Sequence, residues 1–200
     1  MHCSLRLDER GKLMTWRVVL ASILGAVVFM AWGFAFWAGG LAPKDLFKSA
    51  PDEPSAMAAL AASFPESGVY ALPSPAKGMA DPDFVARHAA GPIAQVFIQR
   101  EGSAVNDPQL YALGFLHDVV SAFLLALVLA GVSSGLPGFG QRWFALVLVA
   151  LFAVVAQEGA DIIWWGHDAA YHVWIAGYAV AGWALAALPI AALVHARRRL

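Results

Sequence analysis

The chain has 200 residues, of which 60% are hydrophobic and 14% charged, with a formal net charge of -1. Ordinary soluble domains lie nearer ~45–50% apolar and ~25% charged, so the excess apolar surface requires burial in a lipid bilayer. No long run of one charge sign marks a nucleic-acid footprint, and the single cysteine, Cys3, excludes an internal disulfide, a CxxC redox pair and a thiolate metal cluster within the chain.

Residues 1–13 read as a short polar cytoplasmic tail, and Met14, ahead of Thr15-Trp16-Arg17, as an alternative translation start. The first transmembrane span covers residues 14–38. Its uncharged stretch, Val18–Trp37, meets the requirement of about 20 apolar residues to cross ~30 Å of hydrocarbon as a helix. A cleaved signal peptide has a shorter apolar core of roughly 7–15 residues, so this span reads as an uncleaved anchor. Ala21 and Gly25 form a small-xxx-small pair that lets another helix approach closely.

Residues 39–108 change character, with prolines, acids and no window apolar enough to span. Such a segment is too long for a simple loop. Glu53–Phe64 has helical character with Pro54 in the first turn, and Gly68–Leu72 reads as a strand ended by Pro73. Asp81–Ala89 reads as a helix with an acidic, proline-containing start, and Ile93–Gln99, after Gly91-Pro92, as a second strand. The expectation is a compact α-β-α-β cap with a meagre core.

Residues 110–132 form the second span, interrupted by His117, Asp118 and Ser121. A cytoplasmic turn over 133–141, dense in glycine and proline, permits a tight reversal into a third span at 142–165. An outer turn at 166–169, a fourth span at 170–196 and a basic tail at 197–200 complete the chain. The fold class expected is therefore an all-α transmembrane four-helix bundle with a small α/β extracytoplasmic cap between spans one and two.

Arg6, Arg10, Lys12 and Arg17 precede span one, Arg142 lies between spans two and three, and Arg197-Arg198-Arg199 follow span four. Four spans put all of these on one side, the cytoplasm by the positive-inside rule. The 39–108 segment sets Lys44, Lys48, Lys77, Arg87 and Arg100 against eight acids and belongs outside. Trp164, Trp165 and Trp174 at outer ends, with Trp16 and Trp143 at inner ends, fit interfacial aromatic belts.

The stretch Gln157–Trp174 breaks the apolar sequence with three carboxylates and two histidines. At ~1.5 Å per residue, His117 and Glu158 each lie roughly 10 Å below the outer surface, and His172 about 3 Å below it. Glu158 and Asp161, and Gln157 and Asp161, share a helical face; Gly114, His117, Asp118 and Ser121 form a stripe on span two. Ionised groups in lipid cost at least ~2.5–3.5 kcal/mol, so they face protein or water and take partners.

Three functional readings follow. His117, Glu158, Asp161 and His172 supply a donor set for a divalent metal, zinc, iron or manganese, without any HExxH or ExxH spacing. His117 and His172 could instead hold a b-type haem, and Asp118 with Glu158 could relay protons. Against these stands helix pairing by hydrogen bonds such as His117 to Glu158 or Asp118 to His172. Gln157, His167 and Asp168 complete the polar cluster, the last two and Asp161 open to hydration at the interface. His88 and Arg87 read as surface residues. Ser103 and Ser121 lack a nucleophile-base motif, and no glycine-rich phosphate loop precedes a basic residue.

Trp32-Gly33, the run Gly68-Val69-Tyr70-Ala71-Leu72-Pro73, Gly91-Pro92, Trp164-Trp165-Gly166 and Gly182-Trp183 give the chain a resemblance to a group of small bacterial four-span inner-membrane proteins with no assigned activity. The resemblance covers most of the chain and implies topology alone. Gln157, Glu158, Asp161 and His167 depart from it, standing where mainly aromatic and small polar residues are expected.

The leading functional expectation is a non-catalytic accessory or structural envelope protein, in contact with the lipid bilayer and with a membrane protein partner or a second copy of itself. The alternative is a metal- or haem-binding membrane redox protein or subunit with an outer-leaflet site. A small transporter is the third, and four spans would require it to be oligomeric. No recognisable catalytic motif supports an enzyme.

Overall fold

A computed structural model describes residues 9–195. Cys3, Arg6, the start at Met1 and the basic triplet Arg197–Arg199 lie outside the described residues. The chain forms two compact units, Met1–Phe47 with Pro108–Leu200, and Lys48–Asp107 between them in sequence.

The first unit is helical. Helix α1 (Glu9–Trp37) precedes the inserted unit; α4 (Pro108–Val132), a 3-10 turn at Ser133–Gly135, α5 (Phe139–Trp165) and α6 (Ala169–Leu193) follow it. All four helices contain stretches long and apolar enough to cross a membrane, Trp16–Trp37, Pro108–Gly135, Phe139–Trp165 and Ala169–Leu193. The expected spans are thus present, with boundaries moved by their caps. Pro108 opens α4, at a position where a missing N–H costs nothing. Gln141 Oε1 accepts from the Gly138 N–H at 3.0 Å and starts α5 three residues ahead of Arg142. Asp168 caps α6.

Helix α1 packs against α4 and α6, and α5 packs against α6, while α4 and α5 touch little. The buried cluster includes Val18, Ala21, Leu129, Leu146, Ile190 and Val194, all from the half of each helix nearest the Ser133–Gly135 turn. Small residues bring these backbones together. A Cβ at Gly25 would meet Ile190 Cδ1 at 3.1 Å, and Ala21 is fully buried.

In the other half, aromatic rings of α1 hold α6: Phe29 lies 4.5 Å from Trp183, and Trp32 stacks on Tyr178 and donates its Nε1–H to the Tyr178 carbonyl at 2.9 Å. Helix α5 has no such packing there. Its buried residues are Arg142, Leu146 and Ala150, so from residue 151 to Trp165 it buries no side chain fully.

The second unit has the expected order: α2 (Glu53–Ser63), β1 (Gly68–Leu72), α3 (Pro82–Ala90) and β2 (Ala94–Ile98). The strands pair antiparallel with Tyr70 opposite Val96. Asp52 and Asp81 cap the two helices, accepting from Ser55 and Phe84 N–H groups at 3.2 and 3.1 Å. Arg100 ties off α2 by donating from Nη1 to the Ala61 and Phe64 carbonyls at 2.6 and 2.9 Å. Phe64 and Phe84 are this unit's buried apolar side chains, so its core is small.

Candidate functional site

The α5–α6 turn is built by its backbone. Gly166 adopts the left-handed conformation (φ 67°, ψ 26°) that glycine tolerates without steric cost, and its N–H donates to the Asp161 carbonyl. The His167 N–H donates to the same carbonyl at 3.2 Å, which folds His167 back over the last turn of α5. Asp168 Oδ1 then accepts from the Tyr171 N–H at 3.1 Å and starts α6. One turn on, His172 is buried at 7% exposure.

Five side chains converge. His172 Nδ1 lies 2.6 Å from Glu158 Oε2 and its Nε2 lies 3.2 Å from His167 Nδ1, the two imidazoles stacking at 5.2 Å. One donor atom from each of Asp161, His167 and His172 lies within 4.8 Å of the others. Gln157 Nε2 donates to Asp161 Oδ2 at 3.2 Å. A carboxylate accepts only, so an ionised Glu158 paired with a neutral His172 would accept the hydrogen bond from Nδ1–H and leave the Nε2 lone pair toward His167.

His117 does not join this group. Its side chain is 77% exposed on α4 and its Nδ1 lies 3.4 Å from Asp118 Oδ1. The expected bonds from His117 to Glu158 and from Asp118 to His172 are replaced by His117 with Asp118 and Glu158 with His172. The cause is helix order: α4 packs on α1, so its polar stripe does not face α5, whose neighbour is α6. His117 and His172, the two histidines considered for a haem, are not brought together: His172 contacts Glu158 and His167, and His117 contacts Asp118. Asp118 is buried with His117 as its hydrogen-bond partner.

Beside Glu158 and His172, an open groove of about 410 Å³ runs along α5 and α6, walled by apolar and small residues such as Val154, Gly159, Ala176 and Gly177.

Arg142, read from sequence only as a marker of orientation, is 7% exposed and joins three carbonyls. Its Nε donates to Ala191 at 2.9 Å, and Nη1 to Leu136 and Pro137 at 3.2 and 2.9 Å. The signal was available: a guanidinium at the start of a span has donors that the helix cannot satisfy. Trp143, read as an interfacial anchor, also inserts its Nε1–H onto the Ala184 carbonyl at 2.8 Å.

No protein-family model, curated protein or solved structure matches the chain.

Proposed function

We propose that the protein is a four-span component of a bacterial inner membrane, with both termini cytoplasmic and residues 39–108 outside. Its role is that of a non-catalytic accessory or structural protein whose polar cluster at the α5–α6 turn organises the outer end of the bundle. The observation that carries this reading is the 2.6 Å contact between Glu158 and His172, placed where α5 has no fully buried side chain to hold it against α6. An interhelical hydrogen bond in a membrane protein is worth about 0.6–2 kcal/mol, a useful addition at a helix end whose apolar side chains are only partly buried. Among the described residues, no buried side-chain nitrogen or oxygen lacks a hydrogen-bond partner, in keeping with polar groups that serve packing.

The orientation is supported by charge. Arg17 and Arg142 share the end of the bundle that carries the Ser133–Gly135 turn, and Arg17 lies 3.5 Å from His195, so the positive-inside rule assigns that end to the cytoplasm.

A reporter fused at Pro75 tests the topology: export is expected, and cytoplasmic activity there would overturn it. The structural role is tested by Glu158→Leu, which should lower the melting temperature in detergent. An unchanged melting temperature would mean that Glu158 faces water or headgroups and pairs nothing.

A further inference from the structure

We infer that Asp161, His167 and His172 form a binding site for one divalent transition-metal ion of the zinc class, with Glu158 as the positioning residue that orients His172. The inference rests on the reading of this cluster as the tie between α5 and α6, and deepens it by naming a ligand.

The donor chemistry comes first. Two imidazoles and one carboxylate suit zinc, and neighbouring ions such as cobalt, better than magnesium or calcium, which prefer all-oxygen sets. Three protein ligands leave at least one position for water, as in zinc sites that are not closed by a fourth side chain.

Distance then discriminates a site from a chance cluster. Zinc–nitrogen bonds of ~2.0–2.1 Å at a tetrahedral angle place two ligand nitrogens ~3.4 Å apart. His167 Nδ1 and His172 Nε2 lie 3.2 Å apart, already at that spacing. One oxygen of Asp161 and one ring nitrogen of each histidine lie within 4.8 Å of one another.

Glu158 supplies the independent observation. A metal-ligating histidine usually directs its second ring nitrogen at a carboxylate, which fixes the tautomer and raises the basicity of the ligating nitrogen. Glu158 stands in this relation to a buried His172 at 2.6 Å, so a neutral His172 would present its Nε2 lone pair to His167. Two neutral imidazoles so arranged share one proton between facing nitrogens; a cation takes both lone pairs once His167 carries its proton on the far nitrogen. The backbone prepares the arrangement, since the Gly166 and His167 amides both close on the Asp161 carbonyl.

The ion would act as a clamp between the C-terminal end of α5 and the first turn of α6, where α5 has no fully buried side chain. The same site would hold a water molecule at the mouth of the apolar groove along α5 and α6.

The test uses the full chain purified in a mild detergent, stripped with chelator, dialysed and titrated with Zn²⁺ by calorimetry, with Co²⁺ as the spectroscopic probe. One Zn²⁺ per chain is expected, with a visible Co²⁺ spectrum of low-coordinate type and a raised melting temperature. His167→Ala, in the turn, and Asp161→Asn should each weaken binding by more than tenfold while the ion-free variants elute as the parent does. Glu158→Gln should keep the stoichiometry and weaken affinity about 10–100-fold. His88→Ala should bind as the parent. Absence of a stoichiometric ion, or affinity unchanged in both His167→Ala and Asp161→Asn, overturns the site. Loss of Zn²⁺ binding alone, with Glu158→Leu still lowering the melting temperature, overturns the ion and leaves the tie. If Zn²⁺ does not bind and Glu158→Leu has no thermal effect, both readings fall.

Discussion

Glu158 and His172 meet at 2.6 Å between adjacent helices, one carboxylate oxygen against a buried imidazole Nδ1. The partners are 19% and 9% exposed at their side chains, so water competes weakly for either. Removing one partner leaves the other a buried polar group without its bond, which costs more than the net worth of the pair. Glu158→Leu and His172→Leu should each lower the melting temperature by a few degrees. The double variant should fall short of their sum, with a coupling of about 0.6–2 kcal/mol. Additive losses in the double-mutant cycle would show that the contact does not hold α5 to α6.

Gly182 on α6 sits directly against aromatic rings of α1. A Cβ there would lie 2.6 Å from Trp32 Cδ1 and 2.8 Å from Phe29 Cε2, and both rings are fixed by neighbours, Trp32 by its hydrogen bond to Tyr178 and Phe29 by Trp183. Gly182→Ala should destabilise by about 1–3 kcal/mol, the usual cost of overpacking. Gly177→Ala on the same helix meets nothing within 4 Å and should be neutral or stabilising, because alanine favours a helix by up to about 1 kcal/mol over glycine. Equal melting temperatures for the two variants would refute the close approach.

The number and order of elements were legible because each depends on local sequence. Uncharged stretches such as Val18–Trp37 fix a span by length, and the run from Gly68 to Leu72, bounded by Pro73, fixes a strand. Neighbour relations were not legible. The expected bonds from His117 to Glu158 and from Asp118 to His172 required span two to face spans three and four, yet α4 packs chiefly on α1. The polar group at the α5–α6 turn was half legible. Glu158 and Asp161 could be placed on one helical face, and His167 and His172 near the same surface, whereas the direct contact between His167 and His172 depends on Gly166 reversing the chain, a tertiary consequence of one positive φ.

At the start of α2, Asp52 accepts from the Ser55 hydroxyl at 2.6 Å as well as from its N–H. These two bonds, the hydroxyl's foremost, hold the Asp52 carboxyl below its ordinary value of 3.8. A carboxylate with a lowered folded pKa contributes stability above its unfolded pKa and loses it as pH falls through the folded value. The first turn of α2 should therefore lose amide protection on acidification below about 3.8. Asp52→Asn, which keeps a cap without a charge, should remove that pH dependence. The check is the carboxyl carbon titration of Asp52 by NMR; a midpoint at or above the ordinary value would refute the cap's preference for the ionised form.

Arg142 brings a guanidinium into the buried end of the bundle and meets it with carbonyls: Ala191 on α6, and Leu136 and Pro137 in the turn before α5. The Ala191 carbonyl lies in the last turn of α6, where backbone acceptors lack intrahelical donors and the helix dipole favours a cation. One side chain thereby joins the end of α6 to the turn that launches α5. Arg142→Leu strips three acceptors at once and should destabilise by about 2–4 kcal/mol, given about 1.5–3 kcal/mol for a bond to a charged group and partial replacement by water. Lysine cannot reproduce the arrangement, because Nε and Nη1 donate in different directions from one rigid plane. Arg142→Lys should therefore recover less than half of the loss in detergent melting experiments. Full recovery by lysine would show that charge at this end of the bundle matters and the three carbonyl bonds do not.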